Sequence, residues 1–310
     1  MNLKAAYLPV KGKSMDYIDY NGKLHREQGT QDRLLSVLYG TKVGRAAVRL
    51  LIHPGISRMA GKFLDTKLSR CLVGPFIRCC RLDLSSYLRK KPEEFISYND
   101  FFTREIDPKQ RTVDQEPGHL PSPCDGKVTV YEIKEDTSFV IKNAGYTVES
   151  LLRNKALARR FEGGYAVVLR LCVTDYHRYI YPVTGEKSKN CHIPGVLHTV
   201  NPVAVETADV FKENSREYTL IKSREFGTVL QMEVGALLVG RICNYHQERT
   251  VIRGMEKGKF EFGGSTIILL LQKDRAVIRK DLLENTAKNR ETQVKMGECI
   301  AGINMSIKNT

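Results

Sequence analysis

The chain of 310 residues contains no tryptophan and no long apolar run. Its longest apolar stretch is Ile267–Leu271, whereas a helix needs about 20 mostly apolar residues to span a bilayer, so we expect no membrane-spanning helix. The N-terminal segment lacks the apolar core and the cleavage site of a secretory signal peptide, so we expect no such signal. The cysteines form no CxxC pair and the histidines no HExxH motif, so neither a zinc ribbon nor a catalytic metal is predicted.

What the chain does have is an excess of basic residues, and they are unevenly placed. The whole sequence carries 49 Lys+Arg against 35 Asp+Glu, a formal net charge of +14. Residues 31–91 alone contain thirteen Lys/Arg and three Asp/Glu, so most of the excess lies in one fifth of the chain. Such a concentration of basic charge predicts an acidic partner, which could be nucleic acid, anionic lipid or an acidic protein.

Residues 31–92 also show the apolar spacing of short amphipathic helices. Apolar residues recur three and four positions apart, and Gly44, Pro54 and Gly74 interrupt the pattern. Two interpretations fit: a helical layer packed on a core with a solvated basic face, or an interfacial module whose apolar side enters the headgroup region of a membrane. The two clearest apolar stripes are Leu34, Leu35, Leu38 and Tyr39, and Ala46, Ala47, Leu50 and Leu51.

From about residue 121 onward the sequence is typical of β-structure. Runs rich in β-branched residues are bounded by Gly, Pro, Asn and Asp, and no helix-length pattern separates them regularly, which argues against a parallel βαβ fold. We therefore predict an α+β fold, in which an N-terminal amphipathic helical layer packs on a mostly antiparallel β core. The predicted regions are 1–96, basic and helical, and 97–310, a β-rich catalytic domain with a polar helix near 281–292. The predicted strands lie within 127–133, 138–142, 164–173, 227–245 and 265–272.

Four short segments carry residues that could do chemistry. Two glycines precede Ser265 and leave the carbonyl before the serine sterically open, although the residues that follow do not fit the GxSxG nucleophile elbow. Asp125 lies in a turn before a predicted strand, His177 lies in DYHRY, and His198 lies in PGVLHTVNP. Taken singly, each has an ordinary structural explanation as a tight turn, a turn cap or a half-buried histidine.

Taken together and in this order, the segments resemble the phosphatidylserine decarboxylase proenzymes, a family of pyruvoyl-dependent enzymes. The resemblance covers nearly everything from residue 97 onward, and the helical stretch from Leu34 matches less specifically. It therefore depends on a series of motifs and not on one Gly-Gly-Ser. The matching segments are SYNDFFTREI (97–106), PSPCDGKV (121–128), FVIKNAGYTVESLL (139–152), DYHRY (175–179), PGVLHTVNP (194–202), NSRE (214–217), VGALLVGRI (234–242), EKGKFEFGGSTIILLL (256–271) and VKMGE (294–298).

The resemblance implies that the chain cleaves itself before Ser265. The serine hydroxyl would attack the carbonyl of Gly264 to form an ester, and β-elimination would release a β chain of residues 1–264 from an α chain of residues 265–310. The dehydroalanine left at residue 265 would hydrolyse to a pyruvoyl group and ammonia, so the cofactor is covalent and no external one is implied. A hydroxyl nucleophile needs a base, and that base needs an orienting carboxylate. Asp125 matches the family's triad acid.

The base of this cleavage has two candidates. Many members of the family carry two histidines in a YHRxH pattern, but here only the first is present, as His177, and Ile180 and Tyr181 stand where the second is expected. His177 could serve in both reactions, or His198 could supply the missing imidazole from a neighbouring strand; we favour His177. Tyr181 is a poor base near neutral pH because the ordinary pKa of tyrosine is about 10.

The second reaction that the resemblance implies is a decarboxylation. The pyruvoyl ketone would form a Schiff base with the amine of phosphatidylserine and accept the electrons left by the departing CO₂. A proton would then go to the α-carbon, for which His177 is the candidate donor, and hydrolysis would release phosphatidylethanolamine. The predicted protein is thus a pyruvoyl-dependent carboxy-lyase.

The resemblance also gives the basic helices a purpose, because phosphatidylserine lies in a membrane and carries net negative charge. We expect a peripheral protein on the cytoplasmic side of the cell membrane, whose partners are phosphatidylserine, the anionic membrane surface and its own two chains as a heterodimer; a higher oligomer stays open. The alternatives are a decarboxylase of a soluble amino acid and a proenzyme that does not mature because Tyr181 replaces a histidine. A nucleic-acid-binding module is not predicted, because no RRM, KH or zinc-finger motif is present.

Overall fold

The computed structural model describes most of the chain from residue 59 onward and a short N-terminal hairpin. The apolar stripes between residues 34 and 51, His198 and Gly264 lie outside the described residues, so the predictions that concern them stay predictions. The described residues are 15–26, 59, 61–134, 136, 138–141, 144–195, 214–235, 241–261 and 265–304.

The helices among these residues are short. They are α1 Val73–Cys80, α2 Tyr98–Phe102, α3 Val148–Leu152, α4 Lys155–Ala158 and α5 Lys280–Ala287, with 3₁₀ turns at Lys67–Leu72, Pro92–Glu94, Pro108–Gln110 and Arg159–Phe161. Helix α2 begins where the Ser97 side chain accepts a hydrogen bond from Asp100 N at 3.1 Å, a typical N-cap. Helix α5 is shorter than the predicted 281–292, because Asn289 has a left-handed φ of 54° and the chain then continues as a strand. Within the described part of the chain, no helix is long and apolar enough to cross a membrane.

The strands confirm the mostly antiparallel β core that the sequence predicts, since all five predicted runs contain strands. The run 227–245 contains two, β12 and β13 in the following numbering. The strands are β1 Asp16–Ile18, β2 Leu24–His25, β3 His119–Pro121, β4 Gly126–Glu132, β5 Ser138–Ile141, β6 Ala144–Thr147, β7 Tyr165–Leu171, β8 Arg178–Ile180, β9 Gly185–Lys187, β10 Cys191–Ile193, β11 Arg216–Ser223, β12 Gly227–Gly235, β13 Ile242–Asn244, β14 Arg249–Val251, β15 Glu256–Phe260, β16 Ser265–Leu271, β17 Ala276–Ile278, β18 Arg290–Val294 and β19 Cys299–Ile303.

One large sheet organises the described residues. Its strand order is β14-β9-β11-β12-β16-β7-β4-β18-β1-β2, with β10 paired to β11. The ladders from β11 to β18 are antiparallel, and β1 joins β18 in a parallel pair. Smaller sheets are formed by β13-β15-β8, by β17-β19-β3 and by β5-β6. Because β16 lies between β7 and β12, the predicted cleavage site adjoins the centre of the large sheet.

Both faces of the large sheet are covered, which explains the uninterrupted apolar sequence of β16. Side chains alternate between the faces of a strand, so a strand that is buried on both sides has apolar residues at successive positions. Ile267 and Leu269 belong to the apolar cluster on one face, and Ile268 and Leu270 belong to the cluster on the other. The residue parity of β16 therefore places Ser265 on the same face as Ile267.

An aromatic cluster joins the end of the basic region to the rest of the fold. Tyr98, Phe101 and Phe102 of α2 pack with Phe95, and Tyr98 N donates to Ser69 Oγ at 2.9 Å. This cluster lies on both sides of residue 97, where the sequence predicts a domain boundary, and that division stays a prediction. The confirmed part of the fold class is the mixed architecture with mostly antiparallel sheets, while the helical layer over residues 31–58 lies outside the described residues.

Candidate functional site

The sheet brings the ends of three strands to one edge near Ser265. Ser265 opens β16 and pairs with Gly235 at the end of β12 and with Leu171 at the end of β7. In the next ladder Lys127 pairs with Arg170, so β4 begins beside the end of β7. Adjacent strands lie about 4.8 Å apart, which puts the start of β4 roughly 10 Å from Ser265 along this edge.

Asp125 precedes β4 at this edge, as the Asp-Gly turn in the sequence predicts. Gly126 allows the close approach of β4 to β7, because a Cβ at this position would lie 2.8 Å from the Arg170 carbonyl oxygen. The Asp125 carboxylate is buried and pairs through both oxygens with the Arg111 guanidinium. One of these oxygens also accepts a hydrogen bond from Met296 N at 2.7 Å. Asp125 is thus fixed by a cation and a backbone amide, and among the described residues it has no hydrogen bond to His177.

Ser265 is completely buried, and its hydroxyl has no hydrogen-bond partner among the described residues. A buried polar group without a partner costs about 1–3 kcal/mol, so such groups are rare in cores and require an explanation. The backbone around Ser265 is held on both sides by β7 and β12. The site therefore combines a fixed serine backbone with a hydroxyl that is not engaged elsewhere.

His177 is a neutral, buried imidazole with one free nitrogen. Its Nδ1 lies 2.9 Å from the Asp175 carbonyl oxygen, which can only accept, so Nδ1 carries the proton and Nε2 has the lone pair. Nε2 has no partner among the described residues. Burial and the nearby positive charge of Arg104 lower the pKa of His177 to about 3. An imidazole in this state can accept a proton through Nε2.

His177 and Ser265 lie at the two ends of one structural connection. The His177 carbonyl accepts a hydrogen bond from Phe260 N at 2.8 Å, and Phe260 ends β15 five residues before Ser265. No hydrogen bond joins the His177 ring to the Ser265 hydroxyl in the described part of the chain. The catalytic roles of Asp125, His177 and Ser265 therefore stay predictions, as does that of His198, which lies outside the described residues.

Tyr181, which stands near the position expected for a second histidine, is buried beside a different imidazole. Its hydroxyl lies 3.3 Å from Nδ1 of His246, and burial raises the pKa of Tyr181 above its ordinary value. The neighbouring Ile180 carbonyl accepts a hydrogen bond from the Gln231 side chain at 3.3 Å. His246 was not singled out by the sequence, because nothing in its local pattern marks it.

A buried polar network on the Ser265 face of the sheet was also missed by sequence reasoning. Glu233 lies two residues before Gly235, the partner of Ser265, so both side chains project from the same face. Its carboxylate pairs with Lys257 Nζ at 2.5 Å and accepts a hydrogen bond from Asn244 at 3.2 Å, while its other oxygen has no partner among the described residues. The one available signal was a glutamate inside the otherwise apolar strand β12.

One group of side chains has the composition of a metal site but lies on another sheet. Ligand atoms of Asp114, His119 and Cys299 all lie within 4.8 Å of one another. His119 Nδ1 already contacts an Asp114 carboxylate oxygen at 2.8 Å, and the Cys299 thiol contacts the Ala301 carbonyl. This group adjoins β3 and β19, whereas Ser265 and Asp125 open strands of the large sheet, so it contributes nothing to the candidate site.

Comparison with known proteins agrees with this arrangement. Residues 98–302 match the family model described as phosphatidylserine decarboxylase. The phosphatidylserine decarboxylase proenzyme 2 of Clostridium acetobutylicum is 41% identical over 283 residues, which cover 91% of this chain and 96% of that protein. The corresponding proenzyme of Clostridium botulinum is 38% identical over 266 residues (84% and 90%), and that of Fusobacterium nucleatum is 36% identical over 292 residues (92% and 97%).

Proposed function

We propose a function from the premise that this chain belongs to the phosphatidylserine decarboxylase family. Its proposed reaction converts phosphatidylserine to phosphatidylethanolamine and CO₂. The observation that carries the proposal is the buried Ser265, whose hydroxyl has no partner at the first position of a central strand. This serine is the residue at which the resembling proenzymes would mature.

The proposed maturation breaks the Gly264–Ser265 bond. The Ser265 oxygen attacks the preceding carbonyl, the amide becomes an ester, and elimination releases residues 1–264. The position of Ser265 supports this reaction, because a cut before the first residue of β16 leaves its pairing with β7 and β12 unbroken. The α chain of residues 265–310 then stays bound as one half of a heterodimer.

Residue 265 also fits the pyruvoyl group that this maturation would produce. It has no exposed surface, so water is excluded, and its side-chain oxygen has no competing hydrogen bond among the described residues. In the decarboxylation the pyruvoyl group would supply a carbonyl that takes the substrate amine and draws electrons as CO₂ leaves. The protein has to place the substrate at this position and to manage its protons.

His177 is the proposed proton-transfer residue of both steps. Its neutral state and free Nε2 suit it to take the proton of the Ser265 hydroxyl and, in the second reaction, to hold a proton for the α-carbon. Asp125 is proposed as the acid of the triad, and its present contacts with Arg111 keep it ionised and in place. His198 is retained as the alternative base for self-cleavage.

The region just before the aromatic cluster supports the proposed attachment to an anionic membrane. Phe63 is 48% exposed and Leu68 is 76% exposed, and the exposed Lys62 and Lys67 are adjacent to them in the chain. Apolar side chains can enter the headgroup boundary while each lysine near anionic lipid contributes about 1 kcal/mol. We propose that the enzyme binds peripherally on the cytoplasmic side of the membrane through this surface.

Intact-mass measurement of the purified protein tests the maturation. We expect two chains, of residues 1–264 and 265–310, with the smaller one carrying a pyruvoyl N-terminus and releasing CO₂ from phosphatidylserine in mixed micelles. Ser265→Ala should stay a single chain and release no CO₂. Ser85→Ala, which removes an exposed hydroxyl bonded to Asp83, is the matched control and should mature normally. A wild-type chain that stays uncut yet releases CO₂ would contradict the proposed mechanism.

A further inference from the structure

Arg104 is a buried arginine that uses only part of its hydrogen-bonding capacity. It follows α2, is 1% exposed, and its guanidinium stacks against the rings of Tyr87 and Phe101 at 4.5 and 5.1 Å. Nη2 donates to the Tyr87 hydroxyl and to the carbonyl oxygens of Thr174 and Asp175, at 3.1, 2.9 and 3.3 Å. Nε and Nη1 have no partner among the described residues.

Another buried arginine shows what a purely structural guanidinium looks like in this fold. Arg216 is equally buried, and its Nε, Nη1 and Nη2 each donate to a backbone carbonyl, of Leu151, Asn214 and Ser150. Arg104 has carbonyl partners for only one nitrogen and, within the described residues, no carboxylate. A buried charge that lacks compensation costs several kcal/mol, so the two free nitrogens of Arg104 indicate that an anion belongs there.

The unpartnered donors of Arg104 lie next to His177. The Asp175 carbonyl oxygen accepts from both Arg104 Nη2 and His177 Nδ1, which places the guanidinium and the imidazole on one backbone oxygen. The His177 ring also packs on Phe102, with ring centroids 3.9 Å apart. An anion held by Arg104 would therefore lie beside the free Nε2 of His177.

We propose that Arg104 binds the phosphodiester of the substrate headgroup and so positions the headgroup beside His177. The inference rests on the proposed function, in which the substrate offers two anions, a phosphodiester and a carboxylate. The carboxylate loses its charge as CO₂ leaves, so a guanidinium bound to it would stabilise the substrate more than the transition state. The phosphodiester keeps its charge throughout, and a planar guanidinium binds phosphate oxygens through paired N–H groups.

The bound anion would also alter the neighbouring histidine. The positive charge of Arg104 contributes to the lowered pKa of His177. A phosphodiester on Arg104 compensates that charge, which raises the pKa of His177 and allows it to hold the proton that the α-carbon receives. Substrate binding and the readiness of the acid are thereby linked through one contact.

Kinetics of processed Arg104→Lys test the assignment, with Arg216→Lys as the matched control. Intact mass first verifies that both variants are cut at residue 265. We expect Arg104→Lys to raise KM for glycerophosphoserine at least tenfold while kcat changes less than threefold, because the lost binding is the same in substrate and transition state. Arg216→Lys should keep the wild-type KM. An unchanged KM in Arg104→Lys overturns the inference even where the wild type decarboxylates phosphatidylserine.

Calorimetry on the processed wild type decides the matter if Arg104→Lys fails to fold. Glycerophosphoethanolamine carries the phosphodiester without a carboxylate, and it should bind at least tenfold tighter than ethanolamine. Equal affinities overturn the inference. Where the variant does fold, weaker binding of serine with unchanged binding of glycerophosphoethanolamine assigns Arg104 to the carboxylate and also overturns it. A wild type that binds glycerophosphoethanolamine but releases no CO₂ from phosphatidylserine refutes the proposed function and leaves the anion site standing.

Discussion

Lys257 and Glu233 form an ion pair with 2.5 Å between Nζ and Oε2, and neither side chain has any exposed surface. Burial raises the pKa of Glu233 and lowers that of Lys257, while the mutual attraction of the two charges opposes both shifts. Asn244 joins the pair, since it donates to the glutamate and accepts from the lysine at 3.1 Å. The charged form of each partner thus depends on the other.

Removal of the lysine alone should be strongly destabilising. Lys257→Met leaves Glu233 as a buried charge without its cation, and we expect the free energy of unfolding to fall by about 3–5 kcal/mol. Urea denaturation in a Ser265→Ala background, where the chain stays uncut, measures this change. Lys280→Met is the control, because Lys280 is exposed and its contact with Glu284 is 3.6 Å long. Equal stabilities of the two variants would contradict the proposed importance of the buried pair.

Stability should depend on pH through His177. Its pKa is about 3 in the folded chain against an ordinary value of 6.5, so between these values the unfolded state binds a proton that the folded state does not. The free energy of unfolding therefore falls as pH decreases below 6.5, by about 1.4 kcal/mol per pH unit from this group. We expect His177→Gln to lose this dependence in urea titrations at pH 7, 6 and 5. His192→Gln, which removes an exposed ring, should keep the wild-type slope.

The base of self-cleavage can be identified by a pair of substitutions. If His177 takes the proton of the Ser265 hydroxyl, His177→Ala should slow the cut by at least 10²-fold, the lower range for a lost general base. His198→Ala should then mature at nearly the wild-type rate. The fraction of cut chain against time, followed by intact mass, compares them. Normal maturation of His177→Ala together with an uncut His198→Ala would make His198 the base.

The exposed apolar side chains near the aromatic cluster should contribute to membrane binding. Phe63→Ser combined with Leu68→Ser removes apolar area that would enter the lipid, and we expect at least a roughly tenfold loss of binding. Sedimentation with vesicles of phosphatidylserine and phosphatidylcholine measures the bound fraction at low salt. Val277→Ser, which removes an apolar side chain that is 56% exposed on β17, should not change it. If all variants sediment like the wild type, this surface is not the contact.

Much of the β core could be predicted, because the local signals of its strands agree with their surroundings. The run 265–272 is apolar at successive positions since both faces of β16 are buried, and 126–132 begins at the turn that Asp125 and Gly126 predict. The strand order could not be predicted, because it depends on contacts between distant segments. The parallel pairing of β1 with β18, for example, joins residues near 17 to residues near 291.

The candidate site was predicted to the extent that its residues lie in recognisable segments. Asp125, His177 and Ser265 belong to such segments, and the sheet brings the first and the last of these to one edge. Arg104 and Lys257 also lie in matching segments, but a basic residue in a sequence gives no indication of whether it will be buried or left without an acid. That property appears only when the chain has folded around the side chain.

The central position of β16 has a consequence for the lifetime of the processed enzyme. The proposed α chain contributes β16 between β7 and β12, β18 between β4 and β1, and β19 beside β3. Its departure would require these ladders to open together, so dilution should not separate the two chains and a fresh copy should not exchange into an existing molecule. An enzyme whose pyruvoyl group has been chemically inactivated could therefore be replaced only by new synthesis, which makes each molecule's catalytic life a single, unrenewable term.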